Sequence, residues 1–130
     1  MTSSNLSRLL LFLICFLTGG CTWTYTQAPG AVGKVVDADT GTPVRGAHIT
    51  RLSVAPSVTV PSNKDGSFDL PPNLYTALIL EMHSANPEKI SGSFVVIANG
   101  YVTNELHGFA TAHDRWRVHF GRVRLKKLNE

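Results

Sequence analysis

The chain has 130 residues, 43% of them hydrophobic and 16% charged, and a formal net charge of +3. That length suits one domain with a single hydrophobic core. The apolar content is ordinary, and the small positive excess, without a nucleic-acid-binding motif, gives no reason to expect nucleic acid as a partner.

Thr2 to Arg8 is polar with one positive charge, Leu9 to Leu17 is a continuous apolar run, and Thr18-Gly19-Gly20-Cys21 follows. This is the charged, apolar, small-residue order of a secretory signal. The run falls well short of the roughly 20 residues that a bilayer-spanning helix needs, so a permanent transmembrane helix is the weaker reading. Leu17 to Cys21 resembles a bacterial lipobox, with Thr18 where leucine is commonest. Small residues there let an extended backbone enter a peptidase cleft, and the cysteine thiol takes the lipid. Residues 1–20 are therefore expected to be a lipoprotein signal peptide, and Cys21 the acylated, palmitate-bearing first residue of the mature protein. Cys15 leaves with the signal, so no internal disulfide is expected. Thr22, rather than Asp, after the cysteine implies an outer-membrane lipoprotein facing the periplasm. Several acyl chains would anchor it stably. Residues 21–30 are expected to form a tether, with Trp23 and Tyr25 at the lipid headgroups. Their alternation with threonine reads equally as the start of a strand.

No segment of the mature chain has good helical periodicity. Short β-type runs alternate with turn signals instead. Ala31 to Asp37 is the first run, and Asp39-Thr40-Gly41-Thr42-Pro43 turns it. Val44 to Leu52 is the second, with Gly46-Ala47 marking a bulge or a close backbone approach. Ser57 to Pro61 alternates, and Asn63-Lys64-Asp65-Gly66 is a tight hairpin turn. Ser67 to Leu70 returns with Phe68 and Leu70 inward. Tyr75 to His83 is apolar, Ser84 to Ser91 a polar loop, and Phe94 to Ala98 a strand. Glu105 to Asp114 reads as a long loop. Trp116 to Leu125 is the last strand, where a bulge at Gly121 would bring Trp116, Val118 and Phe120 onto the same face as Val123 and Leu125.

Gly33-Lys34-Val35-Val36-Asp37-Ala38-Asp39-Thr40-Gly41-Thr42-Pro43-Val44-Arg45-Gly46-Ala47-His48-Ile49 resembles the opening of a carboxypeptidase regulatory-like domain. Asn63-Lys64-Asp65-Gly66-Ser67-Phe68-Asp69-Leu70 and Ala98-Asn99-Gly100-Tyr101 are similar to that family's later motifs, in the right order. The resemblance implies an all-β, transthyretin-like or prealbumin-like antiparallel sandwich of about seven strands, here residues 31–130. Its motif residues, Gly33, Asp37, Thr40, Gly41, Pro43, Gly46, Ala47, Asp65, Gly66, Phe68, Gly100 and Tyr101, make the fold rather than a reaction. The segment from Pro71 to Tyr75 stands near the family's Pro-Gly-x-Tyr, and a longer insertion follows it.

Zinc carboxypeptidases hold their metal in another domain through a His-x-x-Glu pair, which does not occur here. His107 and His113, with Asp114 beside them in the irregular segment, are the weak metal candidates; surface histidines are the blander reading. A related sandwich that opens a purine-derived lactam ends in Tyr-Arg-Gly-Ser, whereas this chain ends Lys126-Lys127-Leu128-Asn129-Glu130. No catalytic set, metal or cofactor is therefore expected, and the chain is read as not an enzyme. Arg115, Arg117, Arg122 and Arg124, followed by Lys126 and Lys127, alternate with apolar residues. They point either to an anionic partner or to a solvated edge protected by charge. The expectation is a non-catalytic, membrane-anchored accessory lipoprotein that binds an envelope protein or glycan. The alternative is a small hydrolase or metal-binding protein using the loop histidines.

Overall fold

A computed structural model of the chain describes residues 22–52, 57–78 and 88–129, together with Asn5, Ser7 and Arg8. Cys21, nearly all of the expected signal, Ile79 to His83, and the first part of the expected polar loop lie outside the described residues. From Thr22 onward the described residues are all-β, with nine strands. These are β1 (Thr22–Ala28), β2 (Gly30–Asp37), β3 (His48–Arg51), β4 (Thr59–Pro61), β5 (Ser67–Leu70), β6 (Asn73–Leu78), β7 (Lys89–Ile97), β8 (Asn104–Thr111) and β9 (Arg117–Leu125).

Alternation builds the layers. In β5, Phe68 and Leu70 are buried while Asp69 is exposed, as a half-buried strand requires. Strands β5-β2-β9 form one sheet and β4-β3-β7-β8 another. Ala31, Leu70 and Leu125 of the first meet Ile49, Phe94 and Val96 of the second in a single core. Phe94 and Phe120 close it edge-to-face at 5.6 Å. Each fully buried large side chain of this kind stabilises the fold by about 1.5–3 kcal/mol.

Pairing is not antiparallel throughout, contrary to expectation. β2 is antiparallel to β5 but parallel to β9. β2 and β9 lie at opposite ends of the domain sequence, so no hairpin sets their mutual direction. Their register shifts between Val32 and Lys34, and Gly121 in the facing stretch of β9 has φ +62°. This bulge reverses parity, so that Val118, Val123 and Leu125 are all buried.

The expected loop from Glu105 to Asp114 is mostly β8, paired along its length with β7. Its inner face carries Leu106, Gly108 and Ala110, too small a set to read as apolar alternation. A Cβ at Gly108 would collide with a methyl of Val118, which occupies that space. Gly46 differs from expectation too. It has φ +73° and open space around it, so it serves a turn, not a close approach.

The stretch read as tether or strand is β1, which forms a two-stranded antiparallel ribbon with β6. Tyr25 faces Tyr75 across it at 5.3 Å. Thr26 and Ala28 are buried, so the folded part begins before Ala31. Arg51 clamps the root of this ribbon. Its buried Nη1 donates to Pro29 O at 3.0 Å and to Pro71 O at 2.9 Å, joining the β1–β2 and β5–β6 corners. Burial lowers its pKa, and its Nε has no partner among the described residues.

Candidate functional site: a cationic sheet face and the pocket at its end

The motif residues converge on one structural knot. Asp37, at the end of β2, is buried, and its Oδ1 accepts from the backbone N–H of Asp39 at 2.9 Å and of Thr40 at 3.0 Å. Its Oδ2 accepts from Tyr101 Oη at 3.0 Å and lies 3.5 Å from Lys127 Nζ. The Thr40 N–H does most to hold this carboxyl far below its ordinary range; burial opposes it, and the Asp39 N–H and Tyr101 hydroxyl add to it. Gly41, at φ +70°, completes the turn, and Pro43 bridges back to Val36. Ala47 N–H donates to Ser62 Oγ, whose own proton goes to Val44 O. Gly66, at φ +81°, and Asp65 shape the β4–β5 turn, which crosses from one sheet to the other and is not the expected hairpin; there Asp65 accepts from Ser67 Oγ at 2.6 Å. Gly33 lies against the Phe68 ring. Gly100, at φ +82°, turns the chain so that Tyr101 reaches Asp37. These residues fix the fold and leave the outer faces free to vary.

The outward face of β5-β2-β9 is cationic. Lys34 lies opposite Arg122, and Val32 opposite His119. Arg124 continues the row, and His119, Arg122 and Arg124 are exposed. The acids of these three strands are Asp37, buried at a strand end, and Asp69. Asp69 accepts from Arg117 Nε at 2.8 Å in an exposed pair. Such a pair contributes little to stability, but it fixes the guanidinium in place.

At the β8–β9 end of this face is an open pocket of about 550 Å³, lined by Asp69, His113, Asp114, Arg115, Arg117 and His119. The turn that builds it is unusual. Arg115 and Trp116 have φ of 53° and 57°, two consecutive non-glycine residues in the left-handed region. Each such residue costs about 1–2 kcal/mol. Trp116 N donates to Thr111 O at 2.9 Å, and Gly30 N donates to Trp116 O at 2.8 Å, which holds the turn from both sides. Thr111 Oγ1 donates to Asp114 Oδ2 at 2.8 Å and orients that carboxylate.

The structure thus brings together Arg115, Arg117, His113 and Asp114, and strings Arg122 and Arg124 along the adjoining face. It separates His107 from His113. His107 Nδ1 sits 2.9 Å from Ser93 Oγ on the outer face of the other sheet. Among the described residues, no group of three or more His, Cys, Asp or Glu is placed to hold a metal ion. Sequence reasoning missed Asp69 and His119. His119 was within reach, because it shares the parity of Arg117; Asp69 was not, because its partner lies 48 residues away.

No family model matches the chain, and no curated protein matches it. Among solved structures it is similar to a 3-chlorocatechol 1,2-dioxygenase from Rhodococcus opacus 1CP, at 11% identity and a TM-score of 0.47. That match covers 85% of this chain and 61% of the dioxygenase chain. It is also similar to a 9R-lipoxygenase from Cyanothece PCC8801, at 17% identity and a TM-score of 0.36, over 75% of this chain and 16% of that one. Both neighbours are enzymes, so the expectation that the chain is not one is withdrawn. At these TM-scores neither transfers an activity, a substrate or a site to it.

Proposed function

We propose that this chain is a lipid-anchored protein of the bacterial outer membrane, facing the periplasm, which presents the cationic face of β5-β2-β9 to an acidic envelope glycan. The observation that carries this reading is the charge of that face. Lys34, Arg117, Arg122 and Arg124 stand on it, and Asp69 is the one exposed carboxylate of its three strands. An edge protected only against unwanted pairing needs one or two charges on the edge strand. Here Lys34 extends the positive surface onto the central strand, where edge protection has no use for it. A row of like charges along a sheet attracts a polyanion and steers its approach.

The lipobox-like segment ending at Cys21 supports the address. The motif order supports a carboxypeptidase regulatory-like domain of transthyretin-like topology. So does the strand arrangement: the two packed sheets together hold seven strands, and the β1–β6 ribbon is additional.

The test is made on the full chain expressed in a bacterial host. Intact mass should show a chain beginning at Cys21 with acyl groups, lost in Cys21→Ala. Retention on immobilised heparin, used as a model polyanion, should fall to lower salt in Arg122→Glu/Arg124→Glu. An unacylated wild type, or unchanged retention in the double variant, overturns the corresponding half of the proposal.

A further inference from the structure

We infer that the pocket between the β8–β9 turn and Asp69 binds a sugar phosphate, the phosphorylated unit of the acidic glycan proposed above, and the inference rests on that reading.

The lining selects the ligand by exclusion. An apolar ligand finds no apolar side chain to pack on, since the pocket is lined by Asp69, His113, Asp114, Arg115, Arg117 and His119. A metal ion would face two guanidinium groups. Inorganic phosphate needs donors alone, yet two carboxylates stand in the wall, and its size leaves most of the 550 Å³ empty. A sugar phosphate uses both the cations and the carboxylates of the wall. Its phosphate accepts from the arginines, and its hydroxyls donate to the carboxylates. Pockets for small ligands span about 300–1,000 Å³, a range that holds a monosaccharide phosphate.

Two details give the assignment direction. Arg117 uses its Nε on Asp69 at 2.8 Å, and no other hydrogen bond of its guanidinium is present among the described residues. The Nη pair is left to grip an oxyanion in fork geometry. Arg115 adds a second cation, and two guanidinium groups suit the doubly charged, three-oxygen end of a phosphomonoester better than the two oxygens of a carboxylate. Asp114 commits Oδ2 to Thr111 and keeps Oδ1 for a hydroxyl. The consecutive left-handed residues Arg115 and Trp116 hold this arrangement before any ligand arrives. Strain of this kind is retained where surrounding structure over-determines it, as at binding sites.

The experiment is calorimetric titration of the full chain in mild detergent with glucose 1-phosphate, glucuronate, glucose and inorganic phosphate. Glucose 1-phosphate should bind saturably and at least ten times more tightly than the other three. Arg115→Gly removes the guanidinium at a backbone position that glycine adopts without strain, so it should stay folded and lose binding tenfold or more. Asp114→Asn should lose binding of glucose 1-phosphate while leaving inorganic phosphate unchanged. No saturable heat, equal affinity for inorganic phosphate, tighter binding of glucuronate, or wild-type binding by Arg115→Gly overturns the inference. The Arg122→Glu/Arg124→Glu variant keeps the pocket intact and should still bind glucose 1-phosphate. If wild-type heparin retention holds while sugar-phosphate binding is absent, the pocket assignment falls alone. If retention is absent as well, the glycan reading falls with it.

Discussion

Tyr101 Oη donates to Asp37 Oδ2 at 3.0 Å across 64 residues of chain, and so ties the loop after β7 to the end of β2. The two residues shift in the senses that a neutral donor and an ionised acceptor require. The Asp37 carboxyl is held far below its ordinary value. The Tyr101 phenol is pushed up, first by burial and then by its bond to Asp37.

The pH dependence follows. An unfolded chain protonates Asp37 near its ordinary value of 3.8, whereas the folded chain keeps it ionised well below that. The stabilisation is fully present above the ordinary value and is lost as the pH falls through the folded one. The melting temperature should be flat from about pH 7 to 5 and fall below about pH 4. Asp37→Asn should melt lower at neutral pH and show a shallower acid limb. Part of that limb should remain, because Ser67 holds the Asp65 carboxyl down in the same way. Tyr101→Phe should lower the neutral-pH midpoint by about 4–8 °C, the effect of losing one net hydrogen bond in a domain of this size. An unchanged midpoint in Tyr101→Phe would remove the knot from the account of stability.

Two glycines separate backbone strain from collision. Gly41 has φ +70° and open space around it, so Gly41→Ala should cost about 1–2 kcal/mol for the left-handed backbone alone. Gly66 has φ +81°, and a Cβ there would meet the carbonyl oxygen of Val35. That oxygen belongs to the central strand and cannot withdraw. Gly66→Ala should therefore cost at least twice as much by denaturant unfolding, and equal costs would show that the turn yields.

Arg51 holds two corners with one guanidinium nitrogen, buried in the fold. Arg51→Lys keeps a charged donor but on a shorter side chain, which meets the two carbonyls less well. Hydrogen bonds from a charged donor are worth about 1.5–3 kcal/mol each, so Arg51→Ala should be strongly destabilising. Arg51→Lys should be milder but more local. Hydrogen exchange is expected to quicken in β1 and β6 while the amides of β3 and β7 keep their protection. Uniform loss of protection across both sheets would show that Arg51 supports the core and not the ribbon.

Arg115→Gly should separate stability from binding. Relief of one left-handed non-glycine residue should stabilise the domain by up to about 1 kcal/mol in unfolding experiments. A destabilised Arg115→Gly would mean that the side chain itself supports the turn.

Strands whose apolar residues alternate are legible in the sequence itself. β2, β5 and the parity change in β9 can be read from Val35, Phe68, Leu70, Val118 and Val123. β8 cannot. Its inward positions Gly108 and Ala110 are small because Val118 fills the space in front of Gly108, and the information for that strand therefore sits in β9. The parallel pairing of β2 with β9 and the β1–β6 ribbon depend on contacts between distant segments, for which no local turn chemistry exists. The cations of the site are legible as a period-two row, but the pocket is not. Its sixth wall, Asp69, comes from a strand whose role is otherwise to present Phe68 and Leu70 to the core.

β2 also determines when this molecule can become whole. It is the middle strand of its sheet, with β5 on one side and β9 on the other. One flank can be satisfied once residue 70 has been made, but the other waits for Leu125. Closure over so long a stretch of sequence is slow compared with hairpin formation. A chain emerging from its N-terminus thus keeps its central strand half-bare until Leu125 has been made. Until then the unpaired backbone groups along that flank are an open edge to any other strand that meets it first.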